Sequence, residues 1–177
     1  VEELIPTLLA PVVVLRVCQN LLREGVSIRD LRTILETLAD HAPQTKDPLL
    51  LTEYCRAALG RSVTKKLLNT KGELSLLTLE RIAEEQVAQG IMQTDQGPQL
   101  TLDPGFVQQL IRELNIQAEK MVMENAHAVL LVSPAIRAHL RQLIEKFIPH
   151  LVVLSHNEIS PNIPIKSFAT VRISYAS

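Results

Sequence analysis

The chain has no tryptophan, and its few Phe and Tyr residues bring the aromatic share to only 3% of 177 residues. A core without large rings must be filled by Leu, Ile, Val and Ala, a composition suited to packed helices. Cysteine is also scarce. Cys18 and Cys55 share no metal or redox spacing, which excludes a disulfide framework and leaves two reduced, buried thiols as the reading. No run of about 18 apolar residues occurs, so nothing in these residues is expected to span a bilayer as a helix, and no secretory leader opens the chain. An excess of either charge is missing too. Lys plus Arg number 18 against 19 acidic residues, for a net charge of −1. Binding to nucleic acid rests largely on neutralising phosphates, and binding to anionic membranes on basic clusters, so neither partner is expected.

What is present is a globular composition. Hydrophobic residues reach 46% and charged residues 21%, enough to bury a core and too apolar for a disordered chain. The length suits two subdomains of modest size. The chain starts at Val1 in the middle of a pattern, so it is expected to be a piece of a longer protein.

The first half reads as successive helices. Pro11 precedes residues 12–24, where Val14, Val17, Cys18, Leu21 and Leu22 recur at helical spacing, and Gly25 stops the run. Ser27, with Asp30 three residues on, predicts the cap of a second helix whose buried stripe is Ile28, Leu31, Ile34, Leu35 and Leu38. Arg29, Arg32, Glu36 and Asp40 fall on its other face. Asp47-Pro48 opens a third helix, read to about Leu68. A turn at 69–72, a strand at 73–78, a helix at 79–89 ended by Gly90, a turn at 94–98 and an extended 100–102 follow. Asp103-Pro104 starts a long helix to about Asn125, lined by Val107, Leu110, Leu114, Ala118 and Met121. The end reads as β-α-β. Wholly apolar strands at 128–132 and 151–154 flank a helix opened by Ser133-Pro134, a pattern of parallel strands covered on both faces. A last strand is read at 165–175, where apolar and small residues alternate with Lys166 and Arg172.

The expected class is therefore α+β and mostly helical. A helical, winged-helix-like subdomain over 1–103 precedes a small α/β subdomain over 104–177, joined to it by the long helix.

Catalytic templates were sought and are not met. There is no G-x-S-x-G elbow and no phosphate-cradling Gly-rich loop. The five histidines (His41, His127, His139, His150, His156) lack zinc spacing. Ser155 and His156 are adjacent, and neighbours on a strand point to opposite faces, so they cannot act as nucleophile and base while extended. The expectation is no enzyme, no cofactor and no metal. The alternative is a winged-helix regulator of nucleic acid, with Arg29, Arg32, Arg56, Arg61, Lys65 and Lys66 as its positive charge. Against it, Arg32 and Glu36, four apart, read as an intrahelical pair, and a fold shared with DNA readers does not imply DNA binding.

The wording of several segments is distinctive. QNLLREGVSIRDL at 19–31 continues through ILE at 34–36, LAD at 38–40, KDP at 46–48, LTEYCR at 51–56 and ALGR at 58–61. LLVSPAIR at 130–137 and LVVLSHNEI at 151–159 close the set. In this order they resemble the bacterial type III export gate family of flagella and injectisomes, whereas residues 67–103 match it loosely. The resemblance implies a membrane domain outside this chain, through which alone a membrane would be met. It also implies a place at the cytoplasmic face of the bacterial inner membrane and a nine-membered ring of copies below the export pore. Export substrates, chaperones and ATPase-complex components would be the other partners. Subunit or partner contacts are then expected at Arg29, Asp30, Arg32 and Glu36. Arg56 and Arg61 divide between ring contact and pairing within the subunit. The polar segment 155–162, with His156, Asn157 and Glu158, is expected to carry recognition.

Overall fold

Capping chemistry sets the helix boundaries. In the computed structural model, which describes Leu4 and residues 8–174, helix α1 spans Pro11–Arg23 with Pro11 in its first turn. Its end is a Schellman turn. Gly25 adopts φ +74°, the Val26 amide donates to the Leu21 carbonyl and the Gly25 amide to that of Leu22. Helix α2 spans Leu31–His41, and its cap is Asp30 rather than the expected Ser27. The Asp30 carboxylate accepts from the Thr33 amide at 3.1 Å and the Thr33 hydroxyl at 2.7 Å. Ser27 lies too far upstream to reach the orphan amides and accepts from the Arg29 amide instead. Helix α3, Pro48–Ala58, is capped by Asp47, which accepts from the Leu49 amide at 3.0 Å. The single helix expected to reach Leu68 breaks at Leu59, and α4 continues as Gly60–Lys65.

These helices form one of two compact units, holding the residues up to Lys66 together with Asn157–Ser160. Val17 and Leu21 of α1, Ile34 and Leu38 of α2 and Leu51 and Cys55 of α3 are its buried centre. Each fully buried Leu or Ile contributes about 1.5–3 kcal/mol. Asn20 also donates from its side-chain amide to the Thr52 hydroxyl at 3.1 Å, pinning α1 to α3.

The second unit runs from Leu67 to His156 and resumes at Pro161. It holds β1 (Leu74–Leu79), α5 (Arg81–Gln89), β2 (Ile91–Thr94), β3 (Gly97–Leu100), α6 (Pro104–Met123), β4 (Val129–Val132), α7 (Pro134–Ile144), β5 (Val152–Ser155) and β6 (Ile165–Val171). The main sheet is parallel, in the order β5-β4-β1-β6, and β2 pairs with β3 as a separate antiparallel hairpin. The parallel β4-α7-β5 unit is as expected from the two apolar runs. Leu130 and Val153 pair in register and pack with Leu110, Leu114 and Ile136 in the main core, while their neighbours Leu131 and Leu154 are buried on the opposite face. Tyr175, the expected end of the last strand, lies outside the described residues.

The mixed class therefore stands, a helical part followed by an α/β part with a β-α-β unit. The division between the parts differs from the expected 103. Leu74–Leu79, read as a wing strand of the helical half, lies between β4 and β6 at the centre of the parallel sheet. A strand with Leu at 74, 76, 77 and 79, all buried, needs cover on both faces, and a two-stranded wing cannot supply it.

Candidate functional site

The candidate surface starts at the capped end of α2. Asp30 is committed to its capping bonds, and the two hydrogen bonds from Thr33, side chain then backbone, hold its carboxyl below its usual pKa. One turn on, the Arg32 Nε donates to Glu36 Oε1 at 2.9 Å, with both side chains largely in solvent. Between them Leu31 is half exposed, although the sequence placed it in the buried stripe. Arg29, Asp30, Arg32 and Glu36 thus form an exposed ridge of alternating charge with an apolar residue inside it. Arg61, on α4, is exposed as well.

A second feature was missed in the sequence. Helix α1 is apolar on two sides. Val17 and Leu21 face the core, whereas Val12, Leu15 and Leu22 are 59%, 56% and 54% exposed. Their spacing of 3 and 7 residues puts them on one stripe, with Gln19 between. The signal was legible, since an α-helix that repeats apolar residues in two registers has one register left over.

Two of the expected contact residues are not on the surface. Arg56 and Glu158 have side chains only 2% and 1% exposed. Arg56 donates to Glu158 Oε1 from Nε at 3.0 Å and from Nη2 at 2.6 Å, and its Nη1 lies 3.7 Å from Glu24 Oε1. A buried guanidinium requires such a partner, so Arg56 and Glu158 are withdrawn as partner contacts. For Arg56 the open choice closes on pairing within the subunit. Gly60 belongs to the same knot. A Cβ there would run into the Glu158 carbonyl oxygen, so the close approach of the two backbones needs glycine. His156 and Asn157, by contrast, are exposed. Ser155 is buried while His156 faces solvent, so the adjacent pair does not converge.

Among the described residues no group of three or more His, Cys, Asp or Glu is placed to hold a metal ion, and no helix is long and apolar enough to cross a membrane. Cys55 is buried, and desolvation followed by the neighbouring Cys18 pushes its thiol up to about 12, so it is a poor nucleophile. The Glu84 carboxylate accepts from the Ser133 amide at 2.9 Å, filling the start of α7 with the chain's own anion.

Fold and surface together define a two-unit α/β module whose exposed chemistry is suited to protein contact. The chain belongs to the FHIPEP family, whose model matches residues 1–164; this is the export gate family that segments 19–31 and 130–137 resemble. It is 38% identical over 173 residues to the flagellar biosynthesis protein FlhA of Bacillus subtilis, covering 98% of this chain and 26% of that protein. Among solved structures it is similar to the nonameric cryo-EM structure of EPEC SctV-C, with a TM-score of 0.84, 32% identity and coverage of 93% of this chain and 49% of that one. It is also similar to a chain of the Chlamydia pneumoniae CdsV and CdsO complex, with a TM-score of 0.77, 33% identity and coverage of 91% and 48%. The chain thus spans about a quarter of the flagellar relative and about half of each solved chain.

Proposed function

We propose that this chain is part of the cytoplasmic domain of a type III protein export gate, where it makes subunit contacts in a ring and docks soluble components of the export apparatus. The observation that supports this most directly is the likeness to SctV-C over 93% of the chain, because that protein was solved as a nonamer. The exposed faces of the helical unit supply chemistry that such a ring can use. In a heterologous ring each subunit offers two different faces, so alternating charge at Arg29, Asp30, Arg32 and Glu36 sets register and rejects wrong partners. The stripe of Val12, Leu15 and Leu22 adds apolar area next to be covered. Arg61 extends the charged surface.

Docking of other components is assigned to the second unit and to exposed His156 and Asn157. The support is the related CdsV chain solved with CdsO, together with the polar character of the segment after β5. Export substrates and chaperones belong to this reading as partners of the whole assembly. Membrane attachment belongs to the portion of the longer protein outside this chain.

The test uses the longer cytoplasmic domain and the full-length protein. Arg32→Glu is expected to reduce ring formation, seen by sedimentation and negative-stain imaging, and to impair export in cells. Adding Glu36→Arg restores the pair within the helix but leaves the ridge inverted, so export stays low. Normal rings and normal export in the Arg32→Glu protein would remove the ridge from the interface.

A further inference from the structure

The second unit carries a groove of about 550 Å³ lined by none of the residues proposed above for the ring or for docking after β5. One wall is residues 98–102, five in a row; the other is the face of α7 and the turn after it that bears His139, Gln142, Leu143 and Lys146. Side chains of a strand alternate between faces, so three consecutive residues of β3, Pro98, Gln99 and Leu100, lining one wall make the backbone edge part of it. The ladder agrees. Leu100 pairs with Ile91 and Pro98 with Gln93, while the next residue, Thr101, donates its amide to the Gly90 carbonyl at 2.7 Å. Alternation in an antiparallel pair then turns the backbone of Thr101, Gln99 and Gly97 towards β2. The Leu100 amide and carbonyl and the Pro98 carbonyl point the other way, and among the described residues no backbone hydrogen bond crosses from them to another segment. An edge with open donors and acceptors is a template for one more strand.

The facing helix completes the site. His139, Gln142, Leu143 and Lys146 follow one another at helical spacing, so a single face looks across the groove. Leu102, Val107 and Leu143 supply apolar surface, Lys146 supplies positive charge, and no lining residue is acidic. We propose that this groove accepts an extended peptide segment of another protein, which pairs with the outer edge of β3 and places a carboxylate against Lys146. Strand addition of this kind takes affinity from main-chain bonds and selectivity from pockets for alternate side chains. A second copy is disfavoured as occupant. Residues 97–102 carry no carboxylate, so pairing two β3 edges would bring two cationic rims together.

The test uses two labelled eight-residue peptides, Ser-Val-Thr-Val-Ser-Val-Asp-Asp and the same sequence ending in Lys-Lys, titrated against this chain. The acid-ended peptide is expected to bind about tenfold more tightly. Lys146→Glu should reverse the order. Leu100→Pro removes the outward amide together with the Leu100 side chain packed against the core, so it should weaken both about tenfold and also lower the circular dichroism melt. Hydrogen exchange at the Leu100 amide should slow on binding, a readout that stands if Leu100→Pro fails to fold. Absence of binding to the parent chain would overturn the proposal. So would equal binding of both peptides with no change in either variant, or equal competition by a helical peptide of the same ending. Self-association of the chain without peptide, lost in Leu100→Pro, would also overturn it by making a second copy the occupant.

Discussion

Arg56 shows how the sequence can fix a residue's chemistry and leave its place open between two readings. An arginine in a helical run is ordinarily a surface group, yet here the guanidinium is buried against Glu158 and Glu24. Removing one partner leaves an uncompensated charge in a low-dielectric site, so Arg56→Ala should cost about 3–5 kcal/mol in urea unfolding. Arg56→Met with Glu158→Leu should recover much of that loss, since an apolar pair avoids desolvating two ions. If the double variant were no more stable than Arg56→Ala, the pairing would not be the main source of the effect. Cys55 gives a second residue-scale outcome. Its thiol is raised to about 12 by burial, whereas in the unfolded chain it titrates near 8.5. The unfolded state therefore loses its proton first, and this contribution to stability is full below about pH 8.5 and declines as pH rises towards 12. A thiol reagent at pH 8 should leave Cys55 unmodified in the folded protein and modify both cysteines in denaturant.

At the scale of elements, the helix termini were legible and the strand partners were not. Asp47-Pro48 and Asp103-Pro104 each start a helix as read, because a cap and an N-terminal proline act within three residues. Ser27 and Asp30 competed for one cap, and the residue nearer the first helical turn holds it. That assignment predicts that Asp30→Ala lowers the thermal midpoint, while Asp30→Ser keeps most of it. Since the Asp30 carboxyl is held below its usual range, its contribution is present above about pH 4 and is lost as pH falls through the lowered value. An acid titration of Asp30→Ala against the parent should show the two midpoints converging at low pH. The strand Leu74–Leu79 was found, but its parallel partners lie over 50 and 90 residues further along the chain. No local pattern states which distant run a strand will join, and the winged-helix reading filled that gap with the nearest helices. The surface was divided in the same way. Arg32 with Glu36 is a four-residue relation and was visible, whereas the exposed stripe of α1 and the free edge of β3 depend on what fails to cover them.

For the whole molecule, the two units assign different work. The helical unit bears the mixed-charge ridge and the apolar stripe proposed for neighbouring copies, and the α/β unit bears the groove proposed for an extended peptide. Changes on one set of residues should therefore spare the other activity. Arg32→Glu is expected to leave peptide binding intact, and Lys146→Glu to leave ring formation intact in the longer domain. Loss of both on either change would mean that one surface had been counted twice. The helical unit also has an unusual composition in time. Asn157–Ser160 belongs to it, and Arg56 waits for a partner 102 residues downstream. At about 5–20 residues per second, the ribosome delivers Glu158 roughly 5–20 s after Arg56. During that interval the helices made first hold a cation with no carboxylate from the end of the chain. Their final packing follows synthesis of β5, so the helical unit closes only after most of the α/β unit has been made.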